Sequence, residues 1–174
     1  MTKKEFMNSV MNGKEDILQQ LLTLLGKLKI DYCVIGGLAV NAYVEPVVSL
    51  DLDIVVVAKS IETLLKSAGK KFVAEEFPHS INLRSKKSDL RIQIQTDSRY
   101  QEFISRSKAR EVMGYKMKCA ALDDVLKGKV WAYSDEKRRP SKRQKDLADI
   151  FRLIESFPRL KKLLPEPIRK LTEK

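Results

Sequence analysis

Two aspartates at alternate positions of one short apolar run constrain the fold of this chain more than any other feature. Asp51 and Asp53 lie in the run 49–57, whose other members after Ser49 are leucine, isoleucine and valine. Because alternate side chains of an extended strand share a face, both carboxylates project to one side while Leu52 and Ile54 point into a core. Adjacent carboxylates repel each other, and a divalent cation between them is the usual reason for the arrangement. The alternative is the solvent-facing polar side of an edge strand, although aspartate is disfavoured in strands.

A glycine pair precedes this run. Gly36 and Gly37 follow Tyr32–Ile35, which we predict to be a buried strand, and precede a predicted helix from Leu38 to about Tyr43. A phosphate can approach the backbone where no side chain intervenes, and the N-terminus of a helix offers free amide donors. A tight turn without a ligand is the alternative for the pair alone.

The remaining pattern predicts an α+β fold, a mixed β-sheet flanked by helices with a C-terminal helical tail. We expect residues 1–120 to form the core, including N-terminal helices broken at Gly13, and residues 121–174 to form a helical extension packed on the same domain. The other predicted elements are a helix at 60–68, strands at 72–75, 80–84 and 90–95, a helix at 98–107, and a strand pair at 112–118 turning at Gly114.

The order strand, Gly-Gly, helix, loop and Asp-x-Asp strand resembles the nucleotidyltransferase superfamily of the polymerase-beta type. The motif reads Val34-Ile35-Gly36-Gly37 and then Asp51-Leu52-Asp53. The resemblance implies a nucleotidyltransferase-like fold and transfer of a nucleoside monophosphate from an NTP to a hydroxyl acceptor. It also implies that Asp51 and Asp53 act as catalytic metal ligands for Mg²⁺, with two ions in the family. Gly36, Gly37 and Ser49 would then contact the nucleotide, although Ser49 also fits a simple strand-edge residue.

The downstream sequence is similar to the AbiEii-like branch of that superfamily, whose members include toxins of type IV toxin–antitoxin systems. The similar segments are Lys129-Val130-Trp131-Ala132 and Lys145–Ile150. The resemblance implies that Lys129 and Asp146 bind nucleotide and support catalysis, with Asp149 a neighbouring candidate. From the residues alone, an ordinary helix salt bridge fits Lys129 and Asp146 equally well.

One position departs from the family pattern. The family supplies a third carboxylate from a later strand, and the matching residue here is Gln93. Glutamine can offer a metal only a neutral carbonyl oxygen, so one Mg²⁺ in place of two is possible. Asp89 and Asp97 lie about four residues away, roughly 13 Å along a strand, and do not replace it. Two functions stay open: a magnesium-dependent transferase, and a nucleotide- or RNA-binding member of the fold with weak or absent transfer, acting as a toxin–antitoxin component.

A net charge of +11 favours polyanionic partners. The excess lies in the last third of the chain, which we interpret as a surface for RNA or a protein partner or as a solvated face. No segment is long and apolar enough to span a bilayer and the N-terminus does not resemble a secretory signal, so we expect a cytoplasmic protein. Cys33 and Cys119 are interpreted as small buried hydrophobes.

Overall fold

A seven-stranded mixed sheet forms the centre of the molecule, as seen in a computed structural model that describes residues 1–174. The strands are β1 (Tyr32–Ile35), β2 (Asp51–Val56), β3 (Val73–Phe77), β4 (Ser80–Ser85), β5 (Ser88–Gln95), β6 (Lys108–Val112) and β7 (Tyr115–Cys119). Their order in the sheet is β3-β4-β5-β2-β1-β7-β6. The pairs β2–β5 and β1–β7 are parallel and the other pairs are antiparallel. The expected α+β class with a mixed sheet is confirmed.

Eight α-helices flank the sheet or extend from it. None of them combines the length and apolar character that crossing a membrane demands. The helices are α1 (Lys3–Val10), α2 (Ile17–Lys27), α3 (Gly36–Val40), α4 (Ile61–Ala68), α5 (Phe103–Arg106), α6 (Leu122–Ser134), α7 (Pro140–Ser156) and α8 (Glu166–Leu171), with short 3₁₀ helices at Ala58–Ser60, Ser98–Tyr100 and Pro158–Leu163.

A single hydrophobic core joins the sheet to the C-terminal helices. On β2, Leu52 and Ile54 are fully buried, so the predicted alternation along this strand is correct. Val125 of α6 and Ile150 of α7 pack into the same core, and Cys33 is a buried free thiol within it. The helices after residue 120 therefore share the core of the sheet, while the division at that residue stays a prediction.

Most predicted bounds differ from the structure by one or two residues, and three elements differ in other ways as well. The helix after the glycine pair begins at Gly36 and ends at Val40. The single helix predicted over 98–107 is divided into the 3₁₀ turn and α5, because the Gln101 side chain between them bonds the backbone of Val56 and Ala58 at the end of β2. The predicted strand pair begins earlier, at Lys108, although its turn does lie at Gly114.

Candidate active site

The two aspartates of β2 lie between β1 and β5. Asp53 is in register with Ile35 on β1 and with Gln93 on β5, while Asp51 is in register with Arg91. Gln93 therefore stands directly beside Asp53, at the place where the resemblance puts a third carboxylate. The other carboxylates near β5 lie outside the site, because Asp89 accepts a hydrogen bond from Asn12 and Asp97 from Arg99.

Gly36 makes room for Asp53. Its φ is +70°, in the left-handed region that favours glycine. A Cβ at this position would overlap the Oδ2 atom of Asp53. Gly37 is less constrained, since the atom nearest to a Cβ placed there is Ser49 Oγ at 3.9 Å. Gly36 is thus required by the local structure, whereas Gly37 leaves open space facing the aspartates.

The Asp53 carboxylate has no partner within the protein. It is half-buried, accepts no hydrogen bond and forms no ion pair, although most buried carboxylates do one or the other. Burial raises its pKa to about 6; the charge of Lys129 opposes this rise, and the negative charge of Asp51 adds to it. A cation placed against this carboxylate would relieve that cost.

Asp51 differs from its neighbour because two cationic side chains hold it. Arg91 Nε lies 2.5 Å from Oδ1, and Lys142 Nζ, from α7, lies 3.1 Å from Oδ2. Burial alone would raise the pKa of Asp51, but the hydrogen bond from Arg91 and the charge of Lys142 outweigh it and keep the pKa below its usual value. The Ser49 hydroxyl bonds the backbone of Asp51 and so supports the start of the strand.

Lys129 and Asp146 belong to a buried charge network between α6 and α7. Lys129 Nζ lies 3.0 Å from Asp146 Oδ1 and 2.8 Å from Asp149 Oδ2, and Arg138 Nε lies 2.6 Å from Asp146 Oδ2. Lys129 and Asp146 are only 8% and 1% exposed. Burial would lower the pKa of Lys129, but the two aspartates outweigh it and raise that pKa. The two predicted residues are therefore paired with each other, and Arg152 bonds the other oxygen of Asp149.

A cavity of about 590 Å³ brings these elements together. It contains every predicted site residue except Gly36, which instead lines an adjoining cavity of about 70 Å³ beside Asp53. Its charged side chains have a positive excess, which favours an anionic ligand such as a triphosphate. The cations are Arg91, Lys129, Arg138, Lys142, Lys145 and Arg152, and the carboxylates are those of Asp51, Asp53, Asp146 and Asp149.

Sequence reasoning missed several residues of this cleft. Arg91 shares its strand face with Gln93, a parity that could have identified it. Lys142 and Lys145 belong to the basic last third of the chain, which we interpret from the sequence as a partner surface or a solvated face, and the structure places them on the cleft wall. Nothing in the sequence pattern pointed to Asn41. Its side-chain amide donates one hydrogen bond to the backbone of Val47 and accepts one from it, and so holds the segment around Val47 at the edge of the cleft.

The side-chain oxygens of Asp51, Asp53 and Gln93 suit the coordination of one magnesium ion. Carboxylates and an amide carbonyl are hard ligands, and Mg²⁺ is usually held by one or two carboxylates together with phosphate oxygens of the substrate. Asp53 offers two free oxygens, and Asp51 would have to release Arg91 or Lys142. No group of three or more His, Cys, Asp or Glu side chains that could hold a metal is present.

Comparison with known proteins identifies the fold. Neither a protein-family model nor a curated protein matches the sequence. Among solved structures, ANT(2″)-Ia in complex with adenylyl-2″-tobramycin matches with a TM-score of 0.58 and 14% identity over 90% of this chain and 95% of that chain. The lincomycin-bound lincosamide antibiotic adenylyltransferase LnuA gives 0.54 and 14% over 79% and 96%. An antigenic nucleotidyltransferase-like protein from Paracoccidioides brasiliensis gives 0.51 and 21% over 88% and 78%. The chain has a nucleotidyltransferase-like fold.

Proposed function

We propose that this chain is a nucleotidyltransferase that transfers a nucleoside monophosphate from an NTP to a hydroxyl acceptor, with Mg²⁺. The observation that carries the proposal is the unpaired, half-buried carboxylate of Asp53, which lies beside Asp51 and against Gly36 in a cleft of positive excess. The nucleotidyltransferase-like fold supports the same conclusion.

The residues of the cleft divide the work between them. Gly37 leaves space for a phosphate to approach the backbone of α3, and Lys145 presents a cation without a carboxylate partner to the same cavity. Asp51 and Asp53, with the amide oxygen of Gln93, would hold the magnesium ion. When bound, that ion supplies positive charge against the phosphate oxygens.

The reaction forms a bond from the acceptor oxygen to the α-phosphorus and breaks the bond between that phosphorus and the oxygen leading to the β-phosphorus. Pyrophosphate leaves, and the acceptor proton passes to solvent or to a carboxylate. Cations preorganised on the cleft wall stabilise the negative charge that develops on the leaving group. Lys142 suits this role because its ammonium already lies against Asp51.

The test is transfer of label from each of the four α-labelled NTPs to a panel of RNA, sugar-phosphate and antibiotic alcohols. Asp53→Asn is expected to lower transfer at least about a hundredfold, because it removes the charge that anchors the metal. Asp31→Asn is the matched control, since Asp31 is an exposed carboxylate outside the cleft. Equal transfer by wild type and Asp53→Asn would contradict the proposal.

A binding protein without turnover is the second candidate, and Gln93 is the observation that favours it. With a neutral side chain beside Asp53 and with Asp51 already paired to Arg91 and Lys142, the site carries less free negative charge than three acids would provide. Nucleotide binding by a wild type that transfers no label, together with transfer in Gln93→Asp, would favour this candidate.

The finer assignments rest on the sequence resemblance and stay predictions. They are the AbiEii-like branch, a toxin–antitoxin role, and an RNA or protein partner at the basic C-terminal third. Growth arrest on expression of the chain, relieved by Asp53→Asn, is the outcome expected of a toxin.

A further inference from the structure

A second recess adjoins the cleft at Asp51. It has a volume of about 390 Å³, and Asp51, Arg91, Gln93 and Lys142 line both cavities. A molecule in this recess would therefore lie against Asp51, which a molecule in the main cleft also reaches.

The residues that belong to the recess alone make it strongly positive. Arg84 of β4 and Arg139, which precedes α7, are exposed and neither forms an ion pair. The only carboxylate in the recess is that of Asp51, which is already bonded to Arg91 and Lys142. Two free guanidinium groups thus face a recess that holds no free carboxylate.

The floor of the recess is polar as well. Asn82 on β4 is in register with Gln93 on β5, which in turn is in register with Asp53 on β2. The Asn82 Oδ1 atom is buried without a hydrogen-bond donor; as an acceptor it would bond a hydroxyl of a ligand and not a phosphate oxygen. Arg84 lies two residues further along β4, at an irregularity in the β4–β5 register, and lines the recess together with Asn82.

We propose that the recess binds a phosphate group of the acceptor substrate, so that the acceptor is a phosphate-bearing alcohol, either a small sugar phosphate or a nucleic-acid strand. The inference rests on the proposed function, because it assigns the cleft to the NTP. A guanidinium group binds a phosphate through two parallel hydrogen bonds to its oxygens. Two guanidinium groups without carboxylate partners therefore suit that anion. A cationic amino-alcohol would be repelled by the same groups.

The NTP has cations of its own. Lys129, Arg138, Lys145 and Arg152 line the cleft and do not line the recess. Loss of Arg84 and Arg139 should therefore separate acceptor binding from donor binding.

The experiment measures binding and transfer in Arg84→Gln, Arg139→Gln and the double variant. Arg169→Gln is the matched control, since Arg169 is an exposed arginine without an ion pair on α8 and lines neither cavity. The probes are a labelled six-nucleotide RNA, ribose 5-phosphate, and an NTP. We expect the double variant to bind the RNA or the sugar phosphate at least about tenfold more weakly and to bind the NTP within about twofold of wild type, because only the acceptor phosphate loses its charged donors.

Each outcome decides a separate point. Weaker binding of the RNA alone identifies a strand as the acceptor, and weaker binding of ribose 5-phosphate identifies a small molecule. Unchanged binding of both, or an equal loss of NTP binding, overturns the inference. If the chain transfers label to an uncharged or cationic alcohol, and the rate is the same in the Arg84 and Arg139 variants, the proposed function stands and the acceptor phosphate site is overturned. Arginine-dependent binding without transfer by wild type keeps the phosphate site and overturns the proposed function.

Discussion

Gly36 and Gly37 are adjacent glycines with opposite structural demands. Alanine at Gly36 would have a left-handed backbone and a Cβ overlapping Asp53, so Gly36→Ala should lower the free energy of unfolding by about 1–3 kcal/mol. Alanine at Gly37 meets nothing closer than 3.9 Å and lies within α3, so Gly37→Ala should keep or raise stability by up to about 1 kcal/mol. Urea unfolding of both variants measures the difference.

NTP binding by the same pair tests the site. If Gly37 leaves space for a phosphate, Gly37→Ala weakens NTP binding while it preserves stability. A Gly37→Ala variant with wild-type affinity would show that no phosphate approaches this residue.

Asp53 makes the stability of the metal-free protein depend on pH. The folded protein keeps the proton of this carboxyl up to a pKa of about 6, whereas the unfolded chain releases it near 3.8. Because the folded state binds more protons between these values, stability falls as the pH rises through this window, and the full cost is present above pH 6. Asp53→Asn should therefore be more stable than wild type at pH 7, by up to about 3 kcal/mol, and equal to it below about pH 4.

The measurement is the free energy of unfolding from pH 4 to 8, with and without Mg²⁺. Added Mg²⁺ should raise the free energy of unfolding of the wild-type protein above pH 6, since the ion binds the ionised carboxylate. The free energy of unfolding of Asp53→Asn should not change. Asp31→Asn, at an exposed position, should show neither effect. A pH-independent difference between wild type and Asp53→Asn would exclude titration of Asp53 as the cause.

At the level of elements, the sequence pattern predicted the features that depend on residues close together in the chain, such as strand bounds and turns. The bounds of β1 were predicted to the residue. The turn was predicted at Gly114, and the φ of +87° there favours glycine. The face shared by Asp51 and Asp53 follows from strand parity alone. Even the position of Gln93 beside Asp53 was anticipated, although through the resemblance and not from pairing rules.

The rest of the site depends on contacts between distant parts of the chain. Lys142 reaches Asp51, over a separation of 91 residues, only because α7 packs against α6 and α3 beside the sheet. Arg138 lies in the connection between α6 and α7, and its position depends on a buried carboxylate 8 residues away on α7. No periodicity encodes such contacts, so Arg138 and Lys142 could not be assigned to the cleft from the sequence.

The packing of α6 against α7 depends on the charge network around Asp146. Asp146→Asn leaves Arg138 without its carboxylate and leaves Lys129 with Asp149 alone. Because Lys129 and Asp146 are buried and Arg138 is half-buried, we expect the free energy of unfolding to fall by about 3–5 kcal/mol. Glu62→Gln breaks the exposed Glu62–Lys66 pair of α4 and should cost no more than about 0.5 kcal/mol.

Urea unfolding and NTP binding together assign the role of the network. A large loss of stability with retained NTP affinity per folded molecule indicates a structural pair. A small loss of stability with a large loss of transfer would instead support the catalytic role that the resemblance implies for Lys129 and Asp146.

For the molecule as a whole, the question is whether the +11 net charge or the placement of cations in the cleft determines the affinity for nucleotides. A charge in the cleft contacts the ligand directly, whereas one elsewhere acts through solvent that screens it beyond about 10 Å at 0.1 M salt. We therefore expect affinity to rise from nucleoside mono- to di- to triphosphate, by up to about tenfold per phosphate in dilute buffer, and this order to weaken in high salt.

Calorimetric titration of two lysine variants separates these explanations. Lys145→Gln removes a cation that lines the cleft, and Lys116→Gln removes an exposed one on β7; neither lysine forms an ion pair. Both variants carry the same net charge. If cations in the cleft determine the affinity, only Lys145→Gln weakens triphosphate binding and reduces the difference in affinity between the nucleoside tri- and monophosphate. Equal losses in the two variants would mean that the overall field, and not the cleft, attracts the nucleotide, and the positive face would then serve any polyanion with equal preference.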